Sequence, residues 1–359
     1  MTRAAALALA AGCATGSRPA DAPDLFAVPD HRLDGCAFDD LYRAYVTRFV
    51  AADGRVVDFS GGGRTTSEGQ AYGLMHALVA QDRPLFDRLL RFADERLAGG
   101  KLGERLPAWL FAQGRVADEN SASDADLWMA YALLEGARLF GEPSYGRRGR
   151  ALLRTIFARE VRDGILLPGA SGFVLGDTIR VNPSYLVLPQ LRRFVAEDAR
   201  WGAVLESSVR ILEGAGDPAP DWIALRGGAL VADPIHGAVS SYDAIRVPLW
   251  AGLIPRGDPL RARLQQAASA RVLLAQQDRF PERIGGSAPS DRAGPPGFRA
   301  ALVPLARALG ESDLASRLRV LPELTGYYDA NLALFALAFD DGRARFELDG
   351  KLSVTPCAR

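Results

Sequence analysis

From Phe38 onward, apolar residues recur at helical spacing in one segment after another: 38–50, 68–81, 84–98, 123–140, 145–160, 182–196, 203–214, 241–252, 258–275, 298–309, 312–320 and 327–339. About a dozen such segments, with no linker dividing them, confine the chain to one α-rich domain with its functional residues on loops and helix ends. Gly61-Gly62-Gly63, Pro168-Gly169 and Gly294-Pro295-Pro296 mark breaks, and Ser67, Ser123 and Asp258 read as helix caps. Strand-like alternation is scarce. It is confined to short stretches around 164–180 and to a terminal hairpin in which Asp349-Gly350 turns between Arg345–Leu348 and Leu352–Val354.

Residues 1–35 read apart from this pattern. An Ala/Leu run follows Arg3 and ends at Ala11, then comes Gly12-Cys13, then a stretch rich in small residues and proline. This is the pattern of an export signal and flexible tether, too short to span a bilayer, so the chain is expected to be periplasmic or secreted. Two readings of Cys13 stand side by side: a lipidated cysteine that anchors the protein, or a cysteine that lies near an ordinary cleavage site. Cys36 and Cys357 then bracket the folded region 36–359, either as a disulfide in an oxidising compartment or as two free buried thiols.

Composition removes several function classes. Lys+Arg 43 balance Asp+Glu 43 with no basic block, which leaves no electrostatic footprint for nucleic acid or an anionic membrane. His31, His76 and His236 and the three cysteines are too scattered for a Cys/His zinc site. His76 lies within an apolar helical segment and reads as a core histidine. The triple glycine lacks the Gly-Lys-Ser/Thr ending of a phosphate loop, and no Gly-x-Ser-x-Gly elbow occurs. Carboxylates remain as the chemical resource.

Three acidic sites stand in unusual company. Glu68, in Thr66-Ser67-Glu68-Gly69-Gln70-Ala71-Tyr72-Gly73, is the lone carboxylate at the mouth of an apolar helix, where burial would keep it protonated as a general acid requires; a plain dipole partner is the competing reading. Asp124 and Asp126, in Ala122-Ser123-Asp124-Ala125-Asp126-Leu127-Trp128, open another helix next to a tryptophan that packs in the core or stacks on a sugar. Asp243 and Arg246, in Ser241-Tyr242-Asp243-Ala244-Ile245-Arg246-Val247, are spaced to share one helix face, as a simple ion pair would also require.

Together these segments resemble the glycoside hydrolase family 8 endoglucanases, and within them the periplasmic cellulases that accompany bacterial cellulose synthase. The resemblance runs from about Cys36 to Cys357, supported by Arg105-Leu106-Pro107-Ala108-Trp109-Leu110, Leu166-Leu167-Pro168-Gly169, Asn182-Pro183-Ser184-Tyr185-Leu186 and Tyr327-Tyr328. It implies an all-α (α/α)6 barrel, twelve helices in two concentric rings, as the catalytic domain 36–359. It also implies an endo-β-1,4-glucanase acting with inversion, with Glu68 as acid, Asp243 as base and Asp124 holding a distorted sugar. Asp126 is expected to support the helix start or the site's hydrogen bonds. Tyr185, Arg246 and a tyrosine of the Tyr327-Tyr328 pair position sugar and water, and Trp109, Trp128 and Tyr185 line the cleft.

Such chemistry needs no metal or organic cofactor, only one protonated and one ionised carboxyl group about 6.5–9.5 Å apart. The expected partner is a β-glucan polysaccharide, with a functional link to the cellulose synthase machinery and a monomeric state. Xylan, mixed-linkage glucan and chitosan are the alternative substrates, and a non-cleaving glycan-binding relative is the alternative class. The chain departs from the family pattern at Leu110-Phe111-Ala112, where a second tryptophan is expected, and through 219–237.

Overall fold

The helical periodicity becomes twelve α-helices among the described residues: α1 (Ala37–Phe49), α2 (Ser67–Val79), α3 (Arg83–Phe92), α4 (Ser123–Leu139), α5 (Pro143–Glu160), α6 (Leu188–Glu197), α7 (Trp201–Gly214), α8 (Arg246–Gly252), α9 (Arg261–Ala267), α10 (Pro296–Ala308), α11 (Ser312–Arg319) and α12 (Tyr327–Asp340). The structure is a computed structural model that describes residues 37–270, 274, 280–286, 292–319 and 326–357. The export segment expected at 1–35, Cys13, His31 and Cys36 lie outside these residues.

The helices are of two kinds, and the difference dictates where each sits. In α2 every residue except Glu68 is buried, α4 is buried from Ser123 to Gly136, and α12 is buried from Asp329 to Ala338. A helix that is apolar all round has to be enclosed. By contrast α3 buries a stripe of Leu85, Phe86, Leu89 and Leu90 and turns Arg83, Arg88 and Arg91 to solvent. The contacts follow that division. The even-numbered helices pack on one another, α2 on α4, α4 on α6, α8 on α10, α10 on α12 and α12 back on α2, while each odd-numbered helix packs on an even one, as α1 on α12, α3 on α2, α5 on α4 and α7 on α6. This is the (α/α)6 barrel, with an inner ring of even helices and an outer ring of odd ones. At its centre Trp128, Trp250, Tyr72 and Phe335 form one aromatic cluster with ring centroids 4.9–6.2 Å apart.

Short strands decorate one end of the barrel. β1 (Thr65–Thr66) runs straight into α2 and pairs with β2 (Leu110–Ala112), which pairs with β3 (Arg115–Asp118). β4 (Val161–Arg162) and β5 (Ile165–Leu166) form a hairpin after α5. β6 (Val174–Leu175), β7 (Thr178–Val181), β8 (Ile223–Arg226) and β9 (Ala229–Ala232) make a four-stranded antiparallel sheet, in which Val181 opposite Ile223 brings the start of the Asn182 segment beside Asp221 and Trp222. β10 (Val239–Ser240) pairs with β11 (Ile284–Gly285). The strands expected around 164–180 are present, whereas β2, β3, β8 and β9 fall where no strand was expected.

Several boundaries differ for local reasons. Thr66, not Ser67, caps α2, its hydroxyl accepting from Gly69 N at 3.1 Å. Ala122 precedes α4, so Ser123 is its first helical residue rather than its cap. The 182–196 segment divides into a 3-10 turn at Pro183–Tyr185, held by the Asn182 side chain on Ser184 N, and α6, which restarts with Pro189 in its first turn. Residues 241–245 form a turn rather than the first part of a helix. α9 ends at Ala267, and the later part of the expected 258–275 segment at 271–273 lies outside the described residues. The terminal hairpin pairs β12 (Ala344–Phe346) with β13 (Leu352–Val354) around a longer turn than expected, in which Glu347 N donates to Lys351 O.

Candidate active site

The barrel topology places the N-terminal ends of inner helices at one mouth. Glu68 is the second residue of α2, Asp124 the second of α4, Arg246 the first of α8, and Tyr327 and Tyr328 the first two of α12, while Tyr185 ends the 3-10 turn before α6. Helix N-termini carry unsatisfied N–H groups and partial positive charge, so carboxylates are at home there. Ala125 N donates to Asp124 Oδ1 at 2.8 Å.

Arg246 ties these pieces together. Its side chain is 1% exposed, and its Nη1 donates to Glu68 Oε2, to Asp124 Oδ2 at 3.2 Å and to the Tyr72 hydroxyl at 2.9 Å. Its Nη2 donates to Asp243 Oδ1 at 2.5 Å, and its guanidinium lies 5.6 Å from the Tyr185 ring centroid. Glu68 and Asp243 keep 20% and 27% of their side-chain exposure and so open to the mouth, whereas Asp124 keeps 4%. The deep burial expected of Glu68 therefore belongs to Asp124 instead. Asp243 lies in the turn before α8 and not on the helix itself, yet its i,i+3 pair with Arg246 forms.

The electrostatics follow from one cation facing three carboxyls. Burial pushes Asp124 well above the usual carboxylate range, the neighbouring Glu68 adds to this, and Arg246 opposes it. Burial also pushes Asp243 up to about 6; Arg246 and Asn182 pull it down, and the charges of Asp221 and Glu68 push it up. Burial raises the Tyr185 phenol as well, which keeps its proton in place.

The aromatic expectations divide. Trp109 is half-buried beside the mouth, its main chain joined to Ser67 N and to Asn120 O at 2.9 and 2.8 Å. Tyr327 directs its hydroxyl to Thr66 Oγ1 at 3.3 Å, and Tyr328 donates to the Tyr242 carbonyl, next to Asp243. Trp128 is a correction: at 1% exposure it packs edge-on against Tyr72 and Tyr131 inside the barrel, because the residues after the first turn of an inner helix face only other helices. His76 is a core residue as read, held by Asn331 Oδ1 at 3.0 Å and pushed down to about 3 by burial. The triple glycine is part of a turn in which Gly63 N donates to Asp58 O.

Asp126 does not face the mouth. It is fully buried between α4 and the end of α5, where its carboxyl lies at hydrogen-bonding range of Glu160. Among the described residues, both oxygens of Asp126 and Oε2 of Glu160 receive no N–H or O–H from other groups, while Ser121 Oγ donates to Glu160 Oε1 at 2.5 Å. Burial and the charge of Glu160 push Asp126 well above the usual range, and burial pushes Glu160 up to about 8. Two such acids stay together by sharing a proton.

Three residues of the mouth were not singled out from sequence. Tyr72 lies one helical turn after Glu68, a signal the i,i+4 spacing could have given. Asn182 is 2% exposed and lies beside Asp243. Asp221 lies in the divergent 219–237 stretch, where nothing local marks it. Among the described residues no group of three or more His, Cys, Asp and Glu is placed to hold a metal ion, and no helix is long and apolar enough to cross a membrane.

Comparison with known proteins converges on one family. Residues 34–341 match the family described as Glycosyl hydrolases family 8. An endoglucanase of Xanthomonas axonopodis pv. citri is 41% identical over 337 residues, 87% of this chain and 88% of the relative, and an endoglucanase of Escherichia coli K12 is 37% identical over 325 residues, 85% and 88% of the two chains. Among solved structures, the endo-1,4-D-glucanase of Vibrio fischeri superposes with a TM-score of 0.79 at 34% identity, over 88% of this chain and 98% of that one. The endo-beta-1,4-glucanase of Acetobacter xylinum superposes with a TM-score of 0.72 at 27% identity, over 86% and 99%.

Proposed function

The chain belongs to glycosyl hydrolase family 8 and is an endoglucanase, and from that premise we propose that Glu68, Asp243 and Asp124 hydrolyse internal bonds of cellulose-type β-1,4-glucan with inversion. The observation that carries the residue assignment is the convergence of these three carboxyls, drawn from α2, α4 and the turn before α8, on the single guanidinium of Arg246. Glu68 gives its proton to the glycosidic oxygen as the bond to the anomeric carbon breaks. Asp243 takes a proton from the water that attacks that carbon from the opposite face. The guanidinium stands between the two carboxyls as a spacer, in keeping with a site that admits water between acid and base. Asp124, more buried and raised toward its neutral form, holds the sugar at the cleavage point.

Tyr185, Tyr327, Tyr328 and Trp109 supply ring faces and hydroxyls around the mouth, which suits an uncharged polymer with apolar sugar faces. Export to the periplasm or beyond, and trimming of glucan during cellulose production, are part of the same proposal; they rest on the residue pattern at 1–35 and on the motifs shared with cellulases that accompany cellulose synthase.

The test is hydrolysis of carboxymethylcellulose, xylan and chitosan by the wild type and by Glu68→Gln and Asp243→Asn. Cleavage of the cellulose derivative is expected, with kcat lowered about 10²–10⁴-fold in each variant. Full activity in both variants would falsify the assignment, and preference for xylan or chitosan would replace the substrate. NMR of the newly released anomer reads the stereochemistry, and retention excludes the water-activating role of Asp243.

A further inference from the structure

The turn that carries Asp243 has few backbone hydrogen bonds of its own, Ile245 N donating to Ser241 O at 3.2 Å and Arg246 N to Asp243 O at 3.1 Å. Its first residues are held from outside, by one carboxylate that no motif points to. Asp221 Oδ1 accepts from Ser241 N at 2.8 Å and from Ala244 N at 2.7 Å, and Asp221 Oδ2 accepts from the Ser241 hydroxyl. The backbone N–H of Asp221 donates to Val239 O at 2.7 Å, and Ser240 Oγ donates to Ala219 O at 2.6 Å, so residues 219–221 splint the whole approach to the turn.

The splint is itself fixed. The next residue, Trp222, is 6% exposed; its ring stacks on Phe173 at 5.9 Å and 3°, meets Tyr185 edge-on and lies under the Arg180 guanidinium at 4.8 Å. Arg180 is anchored in turn by the buried Asp233 at 2.6 Å. Asp221 therefore ties the start of β8, an interior strand of its sheet, to Ser241 and Ala244 on either side of Asp243. Three donors converge on its two carboxylate oxygens.

We propose that Asp221 is a positioning residue for the catalytic base, fixing the turn that aims Asp243 at the attacking water and placing a negative charge behind it. The proposal rests on the reading of Asp243 as base. The charged and titratable groups that face Asp243 are Arg246 of α8, Glu68 of α2, Asp221 itself, Tyr185 of the 3-10 turn and Tyr328 of α12. Of these, Asp221 makes Asp243 a stronger base and Arg246 makes it a weaker one. Removing the charge of Asp221 while keeping its acceptor should thus let Asp243 ionise at lower pH.

Two variants separate position from charge. Asp221→Asn retains an Oδ1 acceptor for Ser241 N and Ala244 N; its acid limb of kcat/KM against pH should move down by about half a pH unit or more. Asp221→Ala leaves both N–H groups without the acceptor and frees the turn; kcat should fall at least about tenfold with KM changed less than about threefold, since misplacing a catalytic group costs rate before binding. An acid limb for Asp221→Asn that superimposes on the wild type, or wild-type kcat in a folded Asp221→Ala, overturns the proposal. Asp243→Asn, run alongside, keeps the two readings apart. If it is inactive while the Asp221 variants behave as wild type, only the positioning role fails; if it is fully active, the base assignment fails.

Discussion

At the scale of single residues, Arg246 is the feature on which the site depends. One buried cation meets Glu68, Asp124 and Asp243, so the cluster carries more potential negative than positive charge and a proton is retained within it. Arg246 lowers both Asp124 and Asp243. Replacing it by methionine removes that pull, so Asp243 ionises only at higher pH and the acid limb of kcat/KM moves upward. Replacing it by lysine keeps a charge but loses the planar fork that reaches separate partners from its two terminal nitrogens. Arg246→Lys should therefore show the smaller limb shift of the two, with kcat still reduced about 10²-fold or more, in pH–rate profiles of the two variants. A limb that moves downward in Arg246→Met contradicts the electrostatic account. Only part of this hub was legible in the sequence. The i,i+3 spacing announced the Asp243 pair, but the partners at Glu68, Tyr72 and Asp124 are 178, 174 and 122 residues away and leave no periodic trace.

At the scale of elements, helix periodicity identified the segments, and the contrast between all-apolar and striped helices explains which ring each one joins. What it could not locate was how helix ends are finished, because these depend on partners brought in by the fold. Residues 241–245 read as helix from their own sequence but form a turn in which Asp221 accepts from Ser241 N and Ala244 N. The junction of α4 and α5 is the other case: Asp126 stands in a visible motif, but its partner Glu160 is a lone acid at the end of an amphipathic helix. Glu160 is raised from 4.5 to about 8, and the consequence for stability has a definite sign. Between these values the unfolded chain has lost the proton that the folded chain keeps, so the pair's contribution is complete at low pH and declines as pH rises toward 8. Glu160→Gln keeps an amide oxygen to accept from Asp126 and has no proton to lose. Its melting temperature relative to wild type should climb between about pH 5 and 8, as read by thermal melts across that range. A constant difference between the two proteins would show that Glu160 is ionised in the fold.

At the scale of the whole molecule, the barrel has to close chain end on chain end. α1 packs on α12, Phe38 N donates to Asp341 Oδ2 at 2.9 Å, and Arg343 pairs with Asp39 at 3.0 Å. The terminal hairpin extends this seam across the barrel floor. Gly350, at φ +79° with Pro189 O only 2.1 Å from where a Cβ would stand, lets the turn press onto α6, and its carbonyl accepts from Tyr131 OH at 2.7 Å. Behind it the buried Glu135 accepts from Arg193 at 2.7 Å and from Leu352 N at 2.9 Å. Cys357, just past the hairpin, is disulfide-bonded, and its partner lies outside the described residues. This floor is remote from the chemistry, since Glu135 lies about 16 Å along α4 from Asp124 at 1.5 Å per residue. A bond at Cys357 thus bears on stability and not on rate. Cys357→Ser should melt lower by roughly 3–8 °C, with kcat at 25 °C unchanged, and reductant should lower the wild-type melt without affecting the variant. Non-reducing mass spectrometry of the oxidised protein identifies the linked peptide, expected to join Cys36 to Cys357. Equal melts, or a loss of kcat without a loss of stability, would mean that the seam is held by its ion pairs and hairpin contacts alone.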